Sequence, residues 1–139
     1  INQKFVEFGL TATRLNHKIN NFKELMNRET NPTTPQDISH LLEQIYCRNL
    51  PSSELMEFIL KKQIYGTRLP YLLPYEKDSL SICHKTGSLN TIAHDAGFFR
   101  IFEGDYILSV LTQKQKEVAK TNLAIAELSK NIYELITKH

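Results

Sequence analysis

The sequence predicts an α+β domain in which the helices stand apart from an antiparallel meander. Three observations predict it. Thr34-Pro35 opens a run of apolar residues at helical spacing. Residues 79–112 alternate in three short runs bounded by turn residues. Residues 115–138 carry one long helical stripe. Helices first, then strands, then one closing helix is α+β order rather than a βαβ repeat.

In chain order, INQKFVEFG reads as the end of a helix, with Phe5 and Phe8 on one side and Gly9 as the stop. Residues 10–34 are polar and Asn-rich and read as a long surface loop, with a short helix over Phe22 to Met26. Thr34 is the expected N-cap of the next helix, Pro35 its first residue, and Asp37 part of its first turn. Ile38, Leu41, Leu42, Ile45 and Tyr46 form its apolar face, and Asn49 and Pro51 end it. A further helix starts at Ser52 or Ser53, with Leu55, Met56, Ile59 and Leu60 expected inward. Gly66 to Pro74 is an irregular connection, in which Tyr71 and Tyr75 are expected to close the core.

From Ser79 the period changes to two. Leu80, Ile82 and His84 share one face, and Ser79, Ser81, Cys83 and Lys85 the other. This strand is expected to end at Lys85-Thr86-Gly87-Ser88, where Gly87 can distort it. Residues 92–102 and 105–112 are two more strands, joined by a turn at Glu103-Gly104-Asp105. Tyr106 to Leu111 is apolar on both faces except at Ser109 and reads as a covered central strand. On the last helix, Val118, Ile125, Leu128, Ile132 and Leu135 are the expected core stripe.

The chain has 139 residues, 41% of them apolar, enough for one domain with a core. A net charge of +2, with Lys and Arg scattered, argues against a nucleic-acid partner. No apolar run approaches the roughly 18 residues of a membrane span. The chain begins at Ile1 rather than Met, as expected of a processed or excised product. Cys47 and Cys83 lack metal-site spacing and are expected to be buried hydrophobes. Five histidines without i, i+4 pairing predict no metal site, and no cofactor is expected.

The candidate site residues are Lys85, Thr86, Gly87 and Ser88. An ammonium and a hydroxyl beside a strand end suit a carboxylate, and an unpaired Ser88 N–H could donate to an oxyanion. His94 and Asp95 are neighbours on a strand, so they face opposite ways and cannot pair directly. His40 is expected to be exposed, His17 and Lys18 solvated, and Arg14 an anchor for the long loop.

HKTGSLNTIAHDAGFF resembles the K-T-G strand pair of class A β-lactamases and penicillin-binding-protein-like serine hydrolases. FGLTATRL is similar to the segment leading into that family's omega loop. Residues 29–37, ending in TTPQD, resemble its ENxTTPxD motif, and DYILSVLT resembles its fifth strand. The resemblance covers nearly the whole chain but only the C-terminal half of such an enzyme. It implies a partial β-lactamase-like fold: residues 1–34 a helix end and omega-like loop, 35–78 a helical part, 79–139 the strands and last helix.

The resemblance further implies that Lys85 and Thr86 bind a substrate carboxylate and help move protons. The Ser88 N–H would supply half an oxyanion hole. The implied substrate is a β-lactam or a peptidoglycan-type acyl compound, and the implied location extracellular, cell-surface or periplasmic. Two elements of the family are absent. None of the eight serines has a Lys three residues on, as the S-x-x-K nucleophile requires. Ile19 stands where the omega-loop Glu that activates the deacylating water would fall, and Ile cannot act as a base. The chain by itself is therefore expected to be inactive. The alternative is a catalytically inactive ligand-binding or protein-interaction module. A half-fold should also leave apolar faces uncovered, which implies self-association or pairing with the missing N-terminal half.

Overall fold

The computed structural model of the chain describes residues 1–17, 31–74 and 80–138. Their order is α1 (Asn2–Glu7), α2 (Pro35–Tyr46), α3 (Ser53–Lys61), β1 (Ser81–Leu89), β2 (Ile92–Arg100), β3 (Tyr106–Val110) and α4 (Val118–Thr137). The three strands form one antiparallel sheet in the order β1-β2-β3. The short helix expected over Phe22 to Met26, together with Ile19, Lys18 and Tyr75, lies outside the described residues.

The helix signals hold. Gly9 follows α1 with φ +76°, the left-handed region that glycine enters without strain. The Thr34 hydroxyl caps α2 by accepting from Asp37 N at 3.1 Å, and Pro35 is its first residue. Beyond α2, Arg48 has a left-handed φ of +61° and turns the chain toward α3.

Both faces of the sheet are covered. On one, Cys83, Ala96 and Phe98 meet Leu42 and Ile45 of α2, with Leu60 of α3 beside them. On the other, Ala93, Phe99 and Ile101 meet Leu69, Leu73 and α4 residues Ile125 and Tyr133. Phe99 stacks on Tyr106 with ring centroids 4.6 Å apart. The middle strand is therefore β2. Every residue from Ala93 to Ala96 except His94, and all of Gly97 to Phe99, is buried. β3, expected as a central strand, is an edge among the described residues and only half-buried throughout.

Several side chains lie elsewhere than periodicity implied. In α3, Leu55 (58% exposed), Met56 and Ile59 face outward with Phe58, and only Leu60 packs on the core. The face that meets the sheet instead holds Glu57, which pairs with Arg48 and Arg100. Periodicity marked an apolar stripe correctly, but no described part of the chain lies against it. In α4 the inward stripe is Ile125, Ala126, Ser129 and Tyr133, while Val118, Leu128 and Leu135 are exposed. Tyr71 is exposed, and Leu69 and Leu73 close the core in its place.

The cysteines differ from each other. Cys83 is buried and Cys47 exposed. Burial, with Glu57 nearby, pushes the Cys83 thiol up to about 11. At pH 8 the native chain should therefore show one fast-reacting thiol toward Ellman's reagent, from Cys47. Equal rates for both thiols without denaturant would contradict this packing.

Candidate functional site

The β1–β2 hairpin carries every candidate residue. Contrary to the expected distortion at Gly87, β1 runs on to Leu89 in unbroken register. Thr86 pairs with Asp95, Gly87 with His94, Ser88 with Ala93 and Leu89 with Ile92. The turn is Asn90-Thr91, without glycine. Regular alternation then places Lys85 and Gly87 on the α2–α3 face, and Thr86 and Ser88 on the α4 face.

Between the sheet and α2–α3 lies a cavity of about 340 Å³. Ile38, Leu41, Leu42, Ile45 and Leu60 form its helical wall. Lys85, Thr86, Gly87 and His94 border it on the strand side, and the exposed lining is almost wholly apolar. Lys85 is exposed, and its ammonium donates to the carbonyl of Thr86.

The backbone of Ser88 faces out. Opposite it, Ala93 donates its N–H to Thr112 Oγ1 (3.0 Å), and its C=O accepts from the same hydroxyl (2.7 Å). Ala93 thus turns its backbone groups toward the β3 side of β2. In an antiparallel ladder its partner must then turn away from β2. The Ser88 N–H therefore lies on the outer edge of β1, which has no neighbouring strand among the described residues.

Sequence reasoning missed the groups that hold this edge. Arg68 is buried (1% exposed) and spends its guanidinium on the hairpin. Nη1 donates to the carbonyls of Gly87 (2.9 Å) and His94 (2.6 Å), and Nη2 to Ser88 Oγ (2.6 Å). Nε donates to Asn122 Oδ1 on α4 at 2.8 Å. The next residue is tied down too, because Leu69 N donates to Asp95 Oδ2 at 3.1 Å. Asp95 Oδ1 meets His84 Nδ1 at 2.9 Å, with both side chains buried.

Gly97, opposite His84, makes that pairing possible. A Cβ on Gly97 would stand 2.5 Å from the Cys83 carbonyl oxygen and 2.6 Å from His84 Cβ. His94 and Asp95 do face opposite ways, as expected. The partner of Asp95 is His84, across the hairpin. His94 is half-buried, and its Nδ1 accepts from Thr112 N at 3.0 Å. When neutral, its proton is thus on Nε2. Burial chiefly, then the Arg68 charge, hold its pKa below the ordinary imidazole value.

At the other end of α2, the two ends of the long loop are fastened together. Asp37 Oδ2 accepts from Ala12 N (2.9 Å) and Thr13 Oγ1 (2.7 Å). Asn31 Oδ1 accepts from Asn16 N (2.8 Å) and His17 N (2.9 Å). Arg14 N donates to the Pro32 carbonyl at 3.0 Å, and Arg14 Nη1 to that of Thr13 at 2.7 Å. Arg14 thus helps to hold the neck, here through carbonyls. His40, expected to be exposed, is half-buried beside Glu43 at 3.5 Å.

The Thr13 hydroxyl chiefly, with neighbouring backbone N–H groups, lowers the Asp37 pKa below 3.8. A lowered folded-state pKa gives stability that is present above the unfolded value and lost as pH falls through the folded one. Asp37→Asn should therefore destabilise the chain at pH 7. The gap to wild type should close below about pH 4. A gap of constant size from pH 7 to pH 3 in urea denaturation would refute that linkage.

Among the described residues no cluster of His, Cys, Asp and Glu could hold a metal, and no helix is long and apolar enough to cross a membrane. Compared with known proteins, residues 1–136 match the model of the β-lactamase enzyme family. The chain belongs to that family. Among curated proteins none matches the sequence.

Solved β-lactamase relatives agree. The beta-lactamase from Sphaerobacter thermophilus DSM 20745 superposes with a TM-score of 0.88 at 22% identity, over 99% of this chain and 53% of that one. PBP-A gives 0.83 at 26% identity, over 99% and 51%. A carbapenemase from Vibrio cholerae N14-02106 gives 0.74 at 20% identity, over 96% and 53%. The chain thus has the β-lactamase fold in part, and spans about half the length of these relatives.

Proposed function

We propose that the chain is the substrate-binding half of a serine acyl-transferase or hydrolase that reacts with β-lactams or peptidoglycan-type acyl compounds. The observation that carries this reading is the edge of β1 that has no neighbouring strand among the described residues, where an outward Ser88 N–H follows Lys85, Thr86 and Gly87. An outward N–H is the donor a developing oxyanion needs. Lys85 supplies a positive charge for the substrate carboxylate and a proton carrier beside it; the Thr86 hydroxyl, which alternation turns to the opposite face of β1, reaches the same ligand only over the strand edge. The nucleophile comes from an S-x-x-K segment outside this chain. A variant of PBP-A, 27% identical to this chain, is known as an acyl-enzyme complex with penicillin G.

The rest of the domain covers the exposed Leu55, Phe58 and Ile59 of α3. An exported parent follows from the same substrates, which lie outside the cell membrane. With Ile19 in place of the omega-loop Glu, acylation outpaces deacylation.

Fluorescent penicillin tests this reading. The polypeptide that joins this chain to an S-x-x-K half should be labelled, and the 139-residue chain alone should not. Labelling of the chain alone would contradict it, and so would rapid catalytic hydrolysis of nitrocefin by the joined polypeptide. The apolar face of α3, uncovered among the described residues, favours one other reading, a protein-interaction module without catalysis. An unlabelled joined polypeptide would select that reading.

A further inference from the structure

We propose that Arg68 is a positioning residue that orients and polarises the Gly87–Ser88 peptide, so that the Ser88 N–H is a stronger oxyanion donor. The inference rests on the functional reading above for the purpose of that donor, but not for its geometry. One planar peptide group contains both the Gly87 carbonyl and the Ser88 N–H. In a trans peptide the two point in opposite directions. Arg68 Nη1 holds the carbonyl oxygen at 2.9 Å from inside the fold, so the N–H must point away from it, to the edge of β1 that has no neighbouring strand among the described residues.

The same guanidinium fixes the ladder on both sides of that peptide. It holds the His94 carbonyl across the hairpin at 2.6 Å and Ser88 Oγ at 2.6 Å. Arg68 is itself fixed. Asn122 takes its Nε–H, and Asp95 anchors the Leu69 N–H next to it. Four bonds of a buried planar fork leave it little freedom.

The charge matters as well as the geometry. A cation on the carbonyl oxygen draws electron density through the peptide and leaves the N–H more positive. The interaction is strong because Arg68 is shielded from water. The result is a donor set in direction before substrate arrives, the form of preorganisation that stabilises an oxyanion.

Amide hydrogen exchange in the 139-residue chain tests this with a defined sign. Base-catalysed exchange removes the amide proton and puts negative charge on the carbonyl oxygen. Arg68 beside the Gly87 oxygen should therefore speed exchange at Ser88. Arg68→Gln should slow it by roughly tenfold, the equivalent of one unit of N–H acidity. Arg68→Lys, which keeps the charge without the fork, should fall between. A residue that only held the fold together would act oppositely, since loosening exposes amides and speeds exchange. Unchanged or faster exchange at Ser88 in folded Arg68→Gln overturns the proposal.

If the variants do not fold, the wild-type chain decides. Thr86 shares the outer edge of β1 by alternation, and its peptide carbonyl lies outside the Arg68 bonds. After correction for local sequence, Ser88 should exchange faster than Thr86, and equal rates overturn the proposal.

A second measurement uses the joined polypeptide. Arg68→Gln should slow acylation by fluorescent penicillin roughly tenfold at saturation, with the half-saturating concentration unchanged. Equal acylation by the folded variant would also overturn the proposal. If wild type is not labelled at all, the functional reading fails, and amide exchange still decides the role of Arg68.

Discussion

Asp95→Ala lowers the folding stability of the chain by about 3–5 kcal/mol, the usual cost of breaking a buried, hydrogen-bonded ionisable pair. Asp95 is fully buried and serves two groups that cannot reach water. His84 Nδ1 lies 2.9 Å from one of its oxygens, and Leu69 N donates to the other at 3.1 Å. Alanine leaves both without a partner, each at a cost of about 1–3 kcal/mol, and leaves a gap in the sheet. Asp95→Asn keeps the shape and one acceptor oxygen, so its cost should be clearly smaller.

Gly97→Ala attacks the same pairing from the other strand. Its Cβ would meet the Cys83 carbonyl oxygen, a backbone atom that cannot swing aside. Urea denaturation of the three variants checks the ranking. An Asp95→Ala cost under about 1 kcal/mol would show that the pair is not holding the hairpin to Leu69.

Lys85→Ala slows acylation of the joined polypeptide by fluorescent penicillin about 10²–10³-fold, the range for loss of one preorganised group beside an oxyanion. Lys85 is exposed, so the variant should fold normally, and a lost rate would report chemistry rather than stability. Lys85→Arg separates its two roles. Arginine can still pair with a carboxylate, but it stays protonated at any working pH. Binding should therefore recover in Lys85→Arg while the rate stays low. Full recovery of the rate would leave Lys85 as a carboxylate anchor only. An unchanged rate in Lys85→Ala would remove Lys85 from the proposed machinery.

The hairpin shows how much of the site could be read in advance. Lys85-Thr86-Gly87-Ser88 stands out in the sequence as a candidate, because a cation and a hydroxyl side by side suit an anion. Glycine so often marks a turn that Gly87 suggests a distorted strand end. The strand instead turns three residues later, at Asn90-Thr91. That shift sets the cross-strand pairing. With Leu89 opposite Ile92, His84 falls opposite Gly97 and beside Asp95, and the H-D-A-G sequence makes physical sense. A two-residue turn at Asn90-Thr91 was the signal that could have revealed the pair.

Arg68 offered no local signal of this kind. Its partners are 19, 20, 26 and 54 residues away, and nothing in the surrounding sequence marks it as buried. Asn31 is similar, because its role at the loop neck exists only once residues 16 and 17 are brought beside it.

The sequence by itself determined the element types and their order, the capping of α2, the stop at Gly9 and the family. These depend on periodicity, on backbone preferences of Thr, Pro and Gly, and on short motifs, all of which act within a few residues. Tertiary structure alone decided which stripe of each helix faces inward, which strand is central, and what holds the Ser88 edge. α3 shows the reason. Leu55, Phe58 and Ile59 form an apolar stripe by any local measure, yet they face outward among the described residues. Whether an apolar face is buried depends on what lies against it, and that is a property of the assembled fold.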